Sequence, residues 1–167
     1  MQKIIFSFVL LAFNLFANAQ STEKLRLMSL LRQTDFYITS GNIEKAADLC
    51  EQALVIFKDL GVNNDTETIS GLHKISHAYS EKKMYSEAVK TESLLVEVFP
   101  HAIPDNLYDY ALYLNDLALY LLGNHDVVLA EKNIQKALSL IKDKNDVNLA
   151  VIYVRAAEIY KGTIPHY

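Results

Sequence analysis

The spacing of apolar residues along the chain predicts a series of helices. Leu72, Ile75 and Tyr79 recur at the spacing of one helix face, and a second apolar stripe follows the short polar stretch 81–83. Reading the whole chain this way predicts seven helices, at about 22–40, 42–60, 65–81, 84–98, 104–122, 126–142 and 146–161.

Residues typical of helix ends lie between the predicted helices. Asp65 and Asp146 stand where an N-cap carboxylate would accept a backbone N–H, and Pro104 suits the first turn of the fifth helix. Three glycines fall at predicted helix ends, where a left-handed residue without a Cβ is favoured: Gly41, Gly61 and Gly123.

The pattern repeats with a fixed period. Ala46, Ala88 and Ala130 are 42 residues apart, and the same spacing relates a second set, Ala53, Leu95 and Ala137. Constant spacing at equivalent places is typical of stacked repeats. Small side chains there would let paired helices approach closely, although alanine is also simply a good helix former.

These residues resemble the tetratricopeptide repeat. The segments 41–46 and 85–88 are similar to its inter-helix turn, and 114–118 is similar to the first helix of the longer variety, of roughly 42 residues, found in kinesin light chain and many bacterial proteins. Lys83 departs from the pattern where the family usually has Gly, and Gly123 stands two places early. The resemblance implies an all-α, right-handed superhelical solenoid of antiparallel helix pairs, with about three and a half units at 22–60, 65–98, 104–142 and 146–162.

The first 19 residues have the form of an export signal. Lys3 precedes an apolar run from Ile4 to Phe16, which is too short for a confident membrane span, and the small residues Ala17 and Ala19 fit a signal-peptidase site before Gln20. We therefore expect a signal peptide at 1–19, a repeat domain at 20–167 without a membrane span, and a periplasmic or extracellular location. An uncleaved anchor or a buried helix are the alternatives.

Composition narrows the classes of function. A net charge of −4 lacks the attraction to phosphates on which nucleic-acid binding depends, so no nucleic-acid partner is expected. Cys50 is the single cysteine, which excludes a disulfide framework and a cysteine-based zinc site. Its place in a helix predicts a small apolar filler, with an intermolecular disulfide as the alternative.

Few residues point to chemistry. His73 and His77 are one helical turn apart, but Lys74 stands where a metalloprotease motif has Glu, so we expect no metal and no cofactor. Phosphate-binding, dinucleotide-binding and nucleophile-elbow motifs are missing from the sequence. The chain is therefore not expected to be an enzyme, and an active site in a groove remains the weaker alternative.

The resemblance implies instead a protein-interaction scaffold whose first helices line a groove for a peptide or partner helix. The matching positions are Leu31, Asp35, Ile38, His73, His77, Ser80, Asn115, Leu119, Leu122, Val154 and Glu158. Four tyrosines crowd the fifth helix, either as packing between helices or as an aromatic binding surface: Tyr108, Tyr110, Tyr113 and Tyr120. Self-association and a role as the N-terminal sensor or scaffold of a larger signalling or protease system are further alternatives.

Processing provides the first test. We expect export to remove residues 1–19, so that the secreted protein begins at Gln20, in open or cyclised form. N-terminal sequencing or the intact mass of the exported protein would check this, and a retained Met1 would reject the signal-peptide assignment.

Overall fold

The protein is built from helical hairpins. A computed structural model describes the backbone of residues 2–142 and 150–163, with side chains described over 18–61, 63–142 and 150–161. Within those ranges the chain forms seven α-helices and no strand. The helices are α1 (Gln2–Ser40), α2 (Ile43–Leu60), α3 (Thr66–Glu81), α4 (Tyr85–Ala102), α5 (Leu107–Gly123), α6 (Val127–Ile141) and α7 (Ala150–Thr163).

The helix pattern predicted from sequence is confirmed, with corrections at some ends. The first helix begins at Gln2 instead of near residue 22, because no Gly or Pro interrupts the chain between the apolar run and the first repeat. The predicted cleavage position between Ala19 and Gln20 thus lies within α1. The predicted N-cap Asp146 lies outside the described residues.

The recurring small residues lie where the helices of each hairpin meet. α1 packs on α2, α3 on α4, and α5 on α6, while α7 packs on α6 and α5. Ala46, Ala88 and Ala130 are all fully buried at these contacts. Burial of the whole set supports the packing interpretation over simple helix propensity, because an exposed alanine would serve propensity equally well.

The three hairpin turns are the same structure repeated. Each turn places one residue in the left-handed region, with φ of +82° at Gly41, +61° at Lys83 and +63° at His125. These positions are 42 residues apart. In each turn the next amide donates to a carbonyl five residues back over 2.9 Å: Asn42 to Tyr37, Met84 to Tyr79 and Asp126 to Leu121.

The predicted role of Gly123 is wrong. Gly123 is the last residue of α5, and the left-handed residue of this turn is His125. A Cβ on Gly123 would lie 2.5 Å from the ring of Tyr85, at the start of α4. Gly123 is therefore needed for close contact between α5 and α4, and the third turn keeps the register of the other two.

The predicted start of the fifth helix at Pro104 is also wrong. α4 continues to Ala102, and α5 begins only at Leu107. Phe99, which is 1% exposed, holds the last turn of α4 against the core. The side chain of Asn106 then caps α5 by accepting the amide of Asp109 over 3.1 Å, so Pro104 lies in the connection.

Other local predictions are confirmed. Asp65 caps α3, with its side chain accepting the amide of Thr68 over 3.0 Å in a reciprocal capping box. Gly61 ends α2 with a positive φ of +49°. Cys50 is 4% exposed in the core, and its sulfur lies 3.7 Å from the hydroxyl of Thr91. Cys50 is therefore a buried filler that a second chain cannot reach.

In the part of the chain that the structure describes, no helix is both long enough and apolar enough to cross a membrane.

Overpacking tests the hairpin contact. We expect Ala88→Leu to lower the free energy of unfolding by about 1–3 kcal/mol, because the added methylenes have no room between α3 and α4. The matched control is Lys82→Ala at an exposed position, which should change it by less than about 0.5 kcal/mol. Chemical denaturation checks both; equal stability of the two variants would contradict the close approach at Ala88.

Candidate functional site

The first helices of the units share one face, which we call the first-helix face. It is formed by α1, α3, α5 and α7: α1 packs beside α3, and α5 packs beside α7. One contact between α3 and α5 is that of His73, whose ring lies 4.9 Å from the ring of Tyr113.

A cleft runs between α1 and α3. Two adjoining depressions of about 320 and 360 Å³ share Met28, Arg32 and Glu67 in their walls. Gly71 lets the two helices meet at its base, since a Cβ there would lie 2.9 Å from Cδ1 of Leu31. Apolar side chains thus form the floor of the cleft, while charged side chains stand along its rim.

The rim of this cleft carries both signs of charge. Lys24 of α1 and Asp65, the N-cap of α3, form an ion pair of 3.1 Å across one end. Further along, Arg32 and Lys74 are exposed on opposite walls. The guanidinium group of Arg32 and the ammonium group of Lys74 have no ion-pair partner among the described side chains of residues 18–142 and 150–161. Both groups therefore remain available to a ligand.

A buried polar cluster lies where α3, α4 and α5 meet. Glu92 of α4 is completely buried. Its Oε1 and Oε2 lie 3.2 and 3.3 Å from Nδ1 of His73, and the hydroxyl of Ser76 donates to Oε2. A carboxylate in the core is costly unless it is hydrogen-bonded and paired, and these two residues of α3 satisfy it.

The same histidine reaches the next unit. Its Nε2 lies 3.6 Å from Oδ2 of Asp116 on α5. The side-chain amide of Asn115 donates to Oδ1 of Asp116 over 3.0 Å. His73 therefore bridges two carboxylates, one on each neighbouring helix.

The environment of this cluster changes the affinity of its groups for protons. Burial lowers the pKa of His73, but the hydrogen bond and charge of Glu92, together with the charge of Asp116, outweigh it and the pKa is raised. Burial raises the pKa of Glu92, only partly opposed by His73 and Ser76. Burial likewise raises the pKa of Asp116.

The cluster is not arranged as a nucleophile with its base. Ser76 is fully buried and its hydroxyl donates to Glu92, so the imidazole of His73 does not accept its proton. Among the described side chains, no group of three or more His, Cys, Asp or Glu is placed to hold a metal ion. His77, one helical turn along α3, forms a 3.7 Å pair with Glu81, and its charge also acts on Asp116.

The structure divides the residues predicted to line the groove. Three are in the core and have almost no accessible surface: Leu31 at 3%, Ile38 at 1% and Asn115 at 2% exposure. The half-buried members are His73, Ser80, Leu119 and Leu122, and the exposed ones are Asp35, His77, Val154 and Glu158. The burial of Ile38 and Asn115 is a correction, because helix periodicity alone does not separate the edge of a core stripe from the groove face. Leu31, although buried, lies at the base of the cleft beside Gly71.

Sequence reasoning missed Glu92 and Asp116. Glu92 occupies the core stripe of α4 between Ala88 and Leu95, where the 3.6-residue period expects an apolar side chain. A charged residue at a core position was the signal for a buried polar cluster. The partners of Glu92 could not be read from sequence, because both lie on another helix, α3.

The tyrosines of α5 divide between packing and exposure. Tyr110 stacks on Phe99 with ring centroids 5.8 Å apart, and Lys136 lies over its ring at 4.8 Å. Tyr113 meets Phe99 edge-on, and Tyr120 is 1% exposed. These contacts confirm inter-helix packing for three of the four, while Tyr108 is 38% exposed.

No protein-family profile and no curated protein sequence matches the chain significantly. Solved structures do match. The N-terminal domain of stress-induced protein-1 from C. elegans is similar with a TM-score of 0.54 and 16% identity, over 80% of this chain and 94% of that one. A TPR-like protein from Chlorobium tepidum is similar with a TM-score of 0.50 and 15% identity, over 87% of this chain and 99% of that one. At such identities the likeness concerns the fold, which is an all-α, tetratricopeptide-like solenoid of helical hairpins.

Proposed function

We propose that the protein is a non-catalytic interaction module that binds a peptide or helix of a partner protein on its first-helix face. The observation that carries this proposal is the cleft between α1 and α3, with its apolar floor and its rim of both charges. The 42-residue period supports assignment to the longer, kinesin-light-chain-like variety of the repeat.

The cleft has the properties that peptide recognition requires. Its two depressions, of about 320 and 360 Å³, adjoin along the helices, so several consecutive side chains of a bound segment fit in a row. Met28 and the exposed Leu25 offer apolar contact, which provides most of the favourable free energy. Arg32 and Lys74, one on each wall, would fix the direction and register of an acidic or carboxylate-bearing segment.

The proposed location is the periplasm or the outside of the cell. Support comes from the sequence: an apolar run follows Lys3 and ends at Ala17-Asn18-Ala19, which has the form of a cleavable export signal. Residues 20–40 would remain as the first helix of the solenoid after cleavage, since Gln20 already lies beside Leu60 of α2 in the same depression.

Selection from a displayed library of random peptides, followed by titration of the selected peptides, tests the binding face. We expect Arg32→Ala and Lys74→Ala each to weaken binding by about 1 kcal/mol or more, roughly fivefold in Kd, if the peptide is centred on the cleft. His77→Ala, Leu119→Ala and Glu158→Ala test the extension of the site along α3, α5 and α7. Melting curves recorded in parallel should show little change for the exposed positions.

A matched control lies on the second helices. A depression of about 310 Å³ between α2 and α4 is lined by Val55, Lys58 and Lys90, so it is similar in size and also mixes apolar and charged residues. Val55→Ala and Lys58→Ala should leave peptide binding unchanged. Binding that survives all changes on the first-helix face but disappears with these two would place the function on the second helices instead.

A further inference from the structure

His73 contacts acidic side chains on two other helices of the solenoid. It lies on the first helix of the second unit, contacts Glu92 on the second helix of the same unit and Asp116 on the first helix of the next. Its side chain is 26% exposed, while that of Glu92 is fully buried. A single imidazole therefore joins the second unit to the third through two carboxylates.

The number of donors on this ring depends on its proton. An imidazolium carries two N–H donors, one for each carboxylate, whereas neutral imidazole carries one N–H and one lone pair. With Nδ1–H directed at Glu92 at 3.2 Å, loss of the proton leaves the lone pair of Nε2 facing Asp116 at 3.6 Å. The attraction between α3 and α5 at this point is then replaced by repulsion.

The other charged groups around the ring favour its protonated form. From α5, the carboxylates of Asp109 and Asp116 act on His73, and from α4 the carboxylate of Glu92 does so. His77 of α3 and Arg155 of α7 act on Asp116, and His77 also pairs with Glu81. Lys74, the neighbouring residue on α3, is exposed. The ring thus sits among three carboxylates, two of them on α5 and one on α4.

We propose that the contact between the second and third units is a pH-sensitive joint, in which protonated His73 holds Glu92 and Asp116 together and its deprotonation loosens α5 from α3. The joint lies on the first-helix face, so its opening changes the relative placement of the two halves of that face. It does not depend on what the face binds.

The direction of the pH dependence follows from the folded-state affinities. The pKa of His73 is raised on folding, so its contribution to stability is complete below the unfolded value of about 6.5 and is lost as the pH rises through the folded value. The pKa of Glu92 is also raised on folding, so its contribution is likewise lost with rising pH. Only the deprotonation of His73 weakens the joint itself, because the ionised form of Glu92 is the one that pairs with the imidazolium.

Histidine NMR titration combined with amide hydrogen exchange tests the joint. We expect His73 in the folded protein to titrate above the ordinary imidazole pKa of about 6.5. Amide protection in α5, corrected for the intrinsic exchange rate, should fall by up to about tenfold per pH unit through that titration. Glu92→Gln keeps the shape and the hydrogen-bonding capacity of the side chain but should lower the pKa of His73 and reduce the pH dependence of α5.

The control is His101→Gln, at an exposed position near the end of α4, which should leave the titration of His73 and the protection of α5 unchanged. If Glu92→Gln does not fold, Asp116→Asn serves in its place and should lower the pKa of His73 by a smaller amount. The proposal is overturned if His73 titrates at or below the ordinary value, if neither variant moves its titration, or if α5 protection is independent of pH.

Discussion

Close approach of paired helices at small buried residues is the constraint on which this fold depends. Ala46, Ala88 and Ala130 are fully buried where the two helices of each hairpin meet. A larger side chain at any of them would separate the backbones and move the apolar stripes on either side out of contact. Since each hairpin packs on the next, a displacement in one unit would be passed to its neighbour.

The turns keep this packing in register even where their sequences differ. Gly41 supplies a left-handed residue without a Cβ, and Lys83 and His125 adopt the same conformation against their intrinsic preference. Their positions are dictated by the flanking hairpin contacts. Against this regular frame, Glu92 is the notable exception: it is a carboxylate in the core, stabilised by His73 and Ser76, where the second unit meets the third.

Much of the fold could be predicted from sequence, because the residues that recur with the helical period and with the 42-residue period are also the buried ones. The apolar stripes predicted the helices, and the recurring alanines predicted which helices pack together as pairs. Pro104 and Gly123 were misassigned because each has a general preference that a specific neighbour overrides: Asn106 caps α5, and Tyr85 leaves no room for a Cβ at Gly123. The polar cluster could not be assembled, since the partners of Glu92 are 16 and 19 residues away on another helix.

A glycine scan of the turns tests most directly whether they share one 42-residue register. Lys83→Gly and His125→Gly should raise the free energy of unfolding by up to about 1 kcal/mol, because a left-handed conformation costs an L-residue roughly 1–2 kcal/mol, partly offset by the entropy of glycine. The preceding residues have φ of −83° and −88°, so Lys82→Gly and Asn124→Gly should lower it by about 0.5–1 kcal/mol. Chemical denaturation would contradict the shared register if glycine changed the free energy of unfolding in the same direction at both positions of a turn. It would also do so if glycine stabilised the protein at Lys82 and Asn124 and destabilised it at Lys83 and His125.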